Sequence, residues 1–362
     1  MSIISIGNLK PGMVISEDVF SYRGQCLAKK NTSVTQQLID HLRFYDVVSV
    51  CVYSEARAKR VVSVASSKPH TETYSERVKK SQTFKKFRIQ YHQKVDFMKN
   101  NINAFIKNDE ELDVEQLLDE TLSLFQQNST TISMFDMLHN MRQIDDSTYA
   151  HSINVALIAR LVGKWADFSE DDLNILTLCG LLHDIGKSKI PNSIIGKPGR
   201  LTDEEYKEVK KHPQLGYDLL KNLSIDERVK NAALYHHERF DGKGYPFGKK
   251  GDEIDDFTSI VSIADVYDAM TANRCYRDGL CPFEVIAMFE NEGLTQFSPK
   301  YILTFLEHIA NTYINNEVLL SDGSQGKIVL INQKLTRPTI ELHNGNFINL
   351  EERPDLFVQA II

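Results

Sequence analysis

Leu181-Leu182-His183-Asp184-Ile185-Gly186-Lys187 is the stretch on which the fold turns. Apolar residues from Ile175 to Leu182 follow helical spacing and deliver His183 and Asp184 at the end of the helix. Further along, His236-His237 precedes Asp241-Gly242-Lys243-Gly244-Tyr245-Pro246. Two adjacent histidines can serve one ion only where a helix ends or bends, and the glycines and proline supply such a break. His151 and His212 complete a set of five histidines between residues 151 and 237. One histidine on an apolar face is usually a core residue with a hydrogen-bond partner. Five of them with aspartates in one helical region point to divalent cations instead.

The chemistry needs these residue types. Neutral imidazoles bind borderline divalent ions, and carboxylates offset their charge. One carboxylate between two ions can bridge them, and Asp184, directly after His183, suits that place. Ions roughly 3.5–4 Å apart can clamp the attacking and leaving oxygens of a phosphoryl group. Lys187 falls three residues after Asp184, on the same face of a helix. It can hold the nucleophile or a phosphate oxygen, or it can simply answer a helix C-terminal dipole.

The rest of the chain frames this region. Its 362 residues suit two or three domains. With 42% hydrophobic and 25% charged residues, it reads as an ordinary globular protein that forms a core without staples. The net charge of −7 argues against nucleic-acid binding by bulk attraction. The five cysteines are odd in number and contain no CxxC, which suits a reducing, cytoplasmic compartment. The first residues show no signal peptide, and no run approaches the ~18 apolar residues of a membrane span.

The organisation reads as mainly α. Residues 1–54 form a small α/β regulatory domain: strands at Ile3–Ile6, Met13–Ile15 and Val47–Val52, a turn at Lys10-Pro11-Gly12, and a helix from Ser33 to Phe44. Residues 55–141 form a linker to about residue 75 and then a helical connection, with a basic run (Lys79, Lys80, Lys85, Lys86, Arg88) read as a solvated face. Residues 142–315 carry apolar helical runs broken by short loops, and 316–362 a short β-rich tail with strands at Lys327–Ile331 and Thr339–Leu342.

At His151, His183-Asp184 and Asp265 the chain resembles the HD superfamily of metal-dependent phosphohydrolases. The segment from His183 to Lys187, with His236 to Pro246, resembles its HD-GYP subfamily. So do Asn192–Ile195, Lys197–Thr202, His212-Pro213 with Gly216, Ala264–Thr271 and Arg274–Arg277. The likeness spans about residues 145–310. It implies a helical HD-type domain and a bacterial phosphodiesterase that hydrolyses cyclic di-GMP, through pGpG and in some members to GMP, or 3′,3′-cGAMP. It also implies that His151, His183, Asp184 and Asp265 hold one ion, and Asp184, His212, His236 and His237 the other. Asp184 and Lys187 would be catalytic. Lys187, Arg274, Arg277 and Tyr245 would contact substrate, arginine being a bidentate phosphate donor. Iron or manganese is the family's usual metal, with nickel, cobalt or zinc also compatible with such ligands. The GYP loop and the N-terminal domain would meet signalling partners.

Two positions depart from that pattern. Members with a third metal carry a glutamate four residues before the first histidine, where this chain has Ser147, a poor ligand for a hard ion. Two ions are therefore expected, with pGpG as the main product. Cys275 replaces the usual proline before the tyrosine and tunes the loop only. The N-terminal Leu9-Lys10-Pro11-Gly12-Met13 resembles, more weakly, an uncharacterised domain often found ahead of HD-GYP domains. Two other readings remain. One is an HD hydrolase of nucleotides or ppGpp, against which the GYP segment speaks. The other is an inactive cyclic-dinucleotide-binding or scaffold protein, against which the full set of ligand positions speaks.

Overall fold

The computed structural model describes residues 74–108, 110–126, 131–141, 148–197, 201–272 and 280–362, together with short segments between residues 2 and 53. The chain divides into two compact units, one built mainly on Met1–Glu72 and one on most of the remainder. Among the described residues no helix is long and apolar enough to cross a membrane.

In the N-terminal unit, β1 (Ser2–Ser5), β2 (Val19–Phe20), β3 (Cys26–Ala28) and β4 (Ser49–Val52) form two antiparallel pairs, β1 with β4 and β2 with β3. Ile15 adds a bridge to Val52. Leu9, Ile15, Val34, Ile39, Leu42 and Val52 belong to a separate small core. Of the helix read over Ser33–Phe44, Leu38, Ile39 and Leu42 are helical, Val34 is not, and the other residues lie outside the described residues. Pro11 of the expected turn and the linker residues 54–73 lie outside the described residues. The β2–β3 pair has no clear alternation in sequence and was not expected.

The second unit is helical, with a sheet at its end. Its first helices are α1 (Tyr74–Lys80), α2 (Gln82–Asn108), α3 (Val114–Gln126) and α4 (Thr131–Met141). No glycine or proline separates them; side-chain caps do. Ser81 Oγ accepts from Phe84 N at 3.0 Å to start α2, and Asp113 Oδ1 accepts from Gln116 N at 2.8 Å to start α3. On α2 the residues Phe84, Phe87, Tyr91, Val95, Met98 and Ile102 form one buried stripe at three- and four-residue spacing.

The core helix α5 (Thr148–Trp165) is buried on every side from Ser152 to Gly163. It packs on α6 (Glu170–Leu182) and on α10 (Asp256–Thr271). Between these last two come α7 (Asp203–Val209), α8 (His212–Leu220) and α9 (Glu227–Tyr235). After α10 follow α11 (Pro282–Met288) and α12 (Pro299–Ile309). The helix caps are explicit in the sequence: Ser169 opens α6, Thr202 with Glu205 forms a capping box at α7, and Asp255 opens α10.

Strands β5 (Glu317–Leu320), β6 (Gln325–Leu330), β7 (Thr339–Leu342), β8 (Phe347–Asn349) and β9 (Val358–Ile361) form an antiparallel sheet in the order β8-β7-β6-β5-β9. Val318, Leu320, Ile328, Ile340 and Val358 share one core with the helices. The sheet therefore completes the helical unit's core rather than trailing from it.

Candidate metal centre

The helices converge on one place through their ends. His151 lies in the first turn of α5. His183 is the residue after α6, and Asp184 begins a 3-10 turn over Ile185–Lys189. His212 is the first residue of α8, His236 and His237 follow α9, and Asp265 projects from the middle of α10.

Three of the histidines are fixed by the same device. The last carbonyls of a helix lack intrahelical partners. His183 donates from Nδ1 to Gly180 O at 2.7 Å, at the end of α6. His212 donates to Val209 O at 2.7 Å, the last residue of α7. His236 donates to Ala232 O at 3.0 Å and to Ala233 O at 3.2 Å, in the last turn of α9. Each bond ties the ring to a carbonyl at a helix end and leaves Nε2 as a bare lone pair turned inward, which is how a ligating imidazole is usually oriented. This also corrects one detail of the sequence reading. The helix stops at Tyr235, before the glycines, because the His236 ring closes its end.

Asp184 stands between two groups of ligand atoms. Its Oδ2 lies 3.3 Å from His183 Nε2 and 3.7 Å from His151 Nε2. Its Oδ1 lies 3.3 Å from His212 Nε2 and 3.7 Å from His236 Nε2. His151, His183 and Asp265 form one cluster, and Asp184, His212, His236 and His237 the other, with ligand atoms in each within 4.8 Å. His212 Nε2 and His236 Nε2 approach to 3.2 Å.

The electrostatics agree with a cation acceptor. His183 Nε2 and Asp184 Oδ1 are buried with no hydrogen-bond partner. Such orphaned groups are costly unless an ion or water meets them. Burial, reinforced by the neighbouring imidazoles, holds His236 well below the usual histidine range. Burial likewise brings His237 down to about 3. Both rings are therefore neutral, the form a metal ion needs. Burial works against the charge of Asp184, yet Lys187 and His183 keep it well below the ordinary carboxylate range. Asp265 is held low against burial by His151. The donor set and its orphaned atoms fit a divalent-metal site.

Several contributors were not singled out in the sequence. Asp268 Oδ2 accepts from His151 Nδ1 at 2.8 Å, fixing a candidate ligand histidine that no helix carbonyl orients. Its signal was available: Asp268 is one helical turn beyond Asp265. Ser262 Oγ donates to His236 O at 2.6 Å. Glu238, buried right after the histidine pair, accepts from Phe247 N at 2.7 Å and braces the following loop. These short bonds depend on side-chain geometry that spacing alone does not reveal.

Lys187 Nζ sits 2.5 Å from Asp184 Oδ2 and reaches the cluster from the 3-10 turn rather than from a continuous helix. Gly186 makes this turn feasible: a Cβ there would lie 2.0 Å from His212 O and 2.4 Å from Gly216 N. The Tyr245 ring stacks on His237 with centroids 4.6 Å apart, and Lys210 Nζ lies 4.6 Å from the Tyr245 centroid. The Tyr245-Pro246 bond is cis. Gly244 is packed so closely that a Cβ would meet Glu238 Cα at 2.4 Å. Ser147, Arg274, Cys275 and Arg277 lie outside the described residues.

A helical unit whose helix ends present histidines around one shared aspartate defines a class of metal-dependent hydrolase domain. The chain belongs to the HD domain family, which matches residues 114–300. A cyclic di-GMP phosphodiesterase of Pseudomonas aeruginosa is 34% identical over 194 residues, 53% of this chain and 46% of that protein. A 3′3′-cGAMP-specific phosphodiesterase of Vibrio cholerae is 37% identical over 153 residues, 42% of this chain and 33% of that protein. The match thus spans less than half of these relatives' length. An HDG"Y"P protein from Bdellovibrio bacteriovorus has the same fold, with a TM-score of 0.51 at 17% identity, covering 85% of this chain and 99% of that one.

Proposed function

We propose that the chain is a metal-dependent phosphodiesterase that hydrolyses a cyclic dinucleotide, cyclic di-GMP or 3′,3′-cGAMP, in bacterial signalling. The observation that carries this reading is Asp184, with one oxygen turned to each histidine group. The named activities of the relatives give the substrate class.

His151, His183, Asp184 and Asp265 would hold one divalent ion, and Asp184, His212, His236 and His237 a second. Iron or manganese is the expected metal. When bound, the ions supply Lewis acidity toward the phosphoryl oxygens and toward water. The protein's own groups do the rest. Asp184 places both ligand sets around one point. Lys187 offers its ammonium to a phosphate oxygen or to the nucleophile as charge develops. Tyr245 borders the substrate and keeps the His237 ring in place by stacking. Arg274 and Arg277 would bind the phosphates as bidentate donors. With Ser147 in place of a third-metal ligand, pGpG is the main product.

The N-terminal module is read as a regulatory domain and the GYP loop as a docking point for signalling partners. Cys51, Cys179 and Cys281 are free thiols, which suits a reducing cytoplasm. The test is turnover of each dinucleotide by protein purified with Mn²⁺ or Fe²⁺, with products separated by chromatography. Hydrolysis to pGpG is expected. Tight binding of both dinucleotides without turnover of either would identify a binding or scaffold protein instead, and GMP as the main product would count against the two-ion site.

A further inference from the structure

A cavity of about 150 Å³ opens beside Asp184 and Lys187. These two residues are the part of the metal centre that lines it. Met98 and Ile102 of α2 line it too, with Leu181 and Ile195. Thr148, Ser152, Ser188 and Asn192 add polar lining. The two α2 side chains lie before residue 114, where the match to the HD family begins. This part of the lining is thus supplied by a segment that the family match does not include.

We propose that this cavity is a nucleobase subsite, and that α2 helps select the substrate. The proposal rests on the phosphodiesterase reading above. Size decides which part of the ligand enters. Sites that enclose a drug-sized molecule measure roughly 300–1,000 Å³, so 150 Å³ takes one portion of a cyclic dinucleotide. A phosphate belongs at the cations and Lys187, and neither a phosphate nor a hydroxyl-rich ribose is stable against Met98, Ile102, Leu181 and Ile195. A base has flat apolar faces that these side chains cover, and a thioether packs well on an aromatic ring. Its polar edge needs donors and acceptors at a few points. The Asn192 amide offers both, and the Thr148 and Ser188 hydroxyls add to them.

The wall is held firmly. Tyr91, about two turns before Met98 on α2, places its hydroxyl 2.9 Å from Ala150 O and 2.6 Å from Asn154 Oδ1. The α2 wall is therefore tied to the same helix that carries His151.

Two variants test the proposal. Ile102→Phe fills the cavity, and Asn192→Ala removes the edge-reading amide from an exposed position. For each, kcat/KM is measured for cyclic di-GMP, for 3′,3′-cGAMP and for bis(p-nitrophenyl) phosphate, which has no base. Affinity for cyclic di-GMP is measured in parallel by calorimetry. The expected result is that Ile102→Phe lowers the ratio of cyclic di-GMP to aryl diester efficiency about tenfold, through KM. Asn192→Ala should shift the ratio between the two dinucleotides several-fold and weaken cyclic di-GMP binding. If neither variant moves either ratio or the affinity, the cavity is not a base site. The phosphodiesterase reading fails separately, if wild-type protein cleaves none of the three diesters; the Asn192→Ala affinity then still decides on the cavity.

Discussion

At the scale of single residues, the centre is a set of lone pairs aimed by hydrogen bonds behind them. Asp268 has the clearest consequence. It orients His151, and loss of such a supporting carboxylate typically weakens metal binding 10–100-fold. Asp268→Asn should therefore lower Mn²⁺ affinity by that factor in a calorimetric titration; unchanged affinity would mean that His151 needs no support. His151 also sets a pH dependence. Burial opposes its charge, but Asp265 and Asp268 raise it to about 9. Its folded value thus exceeds the ordinary histidine value, so its protonation stabilises the metal-free protein fully below about pH 6.5. That stability is lost as pH rises through about 9. An ion can bind His151 only by displacing this proton, so apparent metal affinity should rise with pH up to about 9, with a proton released at neutral pH. Titrations in buffers of different ionisation enthalpy measure that proton. The ligand candidates were legible in the sequence because metal chemistry restricts residue types. The groups behind them were less so, because Ser262 and Glu238 are common residue types whose role comes only from where the backbone puts them.

At the scale of elements, helix ends do the positioning. The caps that start α2 and α3 explain why a stretch without glycine or proline is nevertheless broken into several helices. The tight turn after His183 depends on Gly186. Gly186→Ala would force a Cβ against the backbone at His212 and Gly216, so the 3-10 turn must move. We expect a loss of about 2 kcal/mol or more in denaturant unfolding, together with weaker metal binding, because Asp184 and His212 are displaced relative to each other. A variant with native stability and metal affinity would show that the turn has slack. The strands at Thr339–Leu342 and near Lys327–Leu330 were readable from β-branched and apolar runs. The neighbouring β8 was not, since Phe347 is exposed and the strand is only three residues long. Nor was the true end of α9, which a histidine ring closes ahead of the glycine signal.

At the scale of the whole molecule, helices α2–α6 and α8–α12 and the five-stranded sheet share a continuous core. Removing residues 316–362 would uncover the partners of Val318, Leu320, Ile328, Ile340 and Leu356, each worth about 2 kcal/mol of burial. A chain ending at residue 315 should then aggregate or lose its cooperative melt, as read by scattering and circular dichroism; a stable, monomeric truncated chain would mean that the sheet is dispensable. Composition could not reveal this, because a β-rich segment at the end of a helical chain reads as a tail until its apolar face is seen against the helices. Ligand binding to the folded state alone raises stability, so chelation should lower the melting temperature and Mn²⁺ restore it. The most direct test of the central claim is turnover of cyclic di-GMP and 3′,3′-cGAMP followed as metal is added back to chelated wild-type and Asp184→Ala protein. Turnover of at least one dinucleotide that rises to a plateau at two ions per chain, with none at any loading in folded Asp184→Ala, is the predicted result. Undiminished turnover by the chelated protein, or by Asp184→Ala, would contradict it.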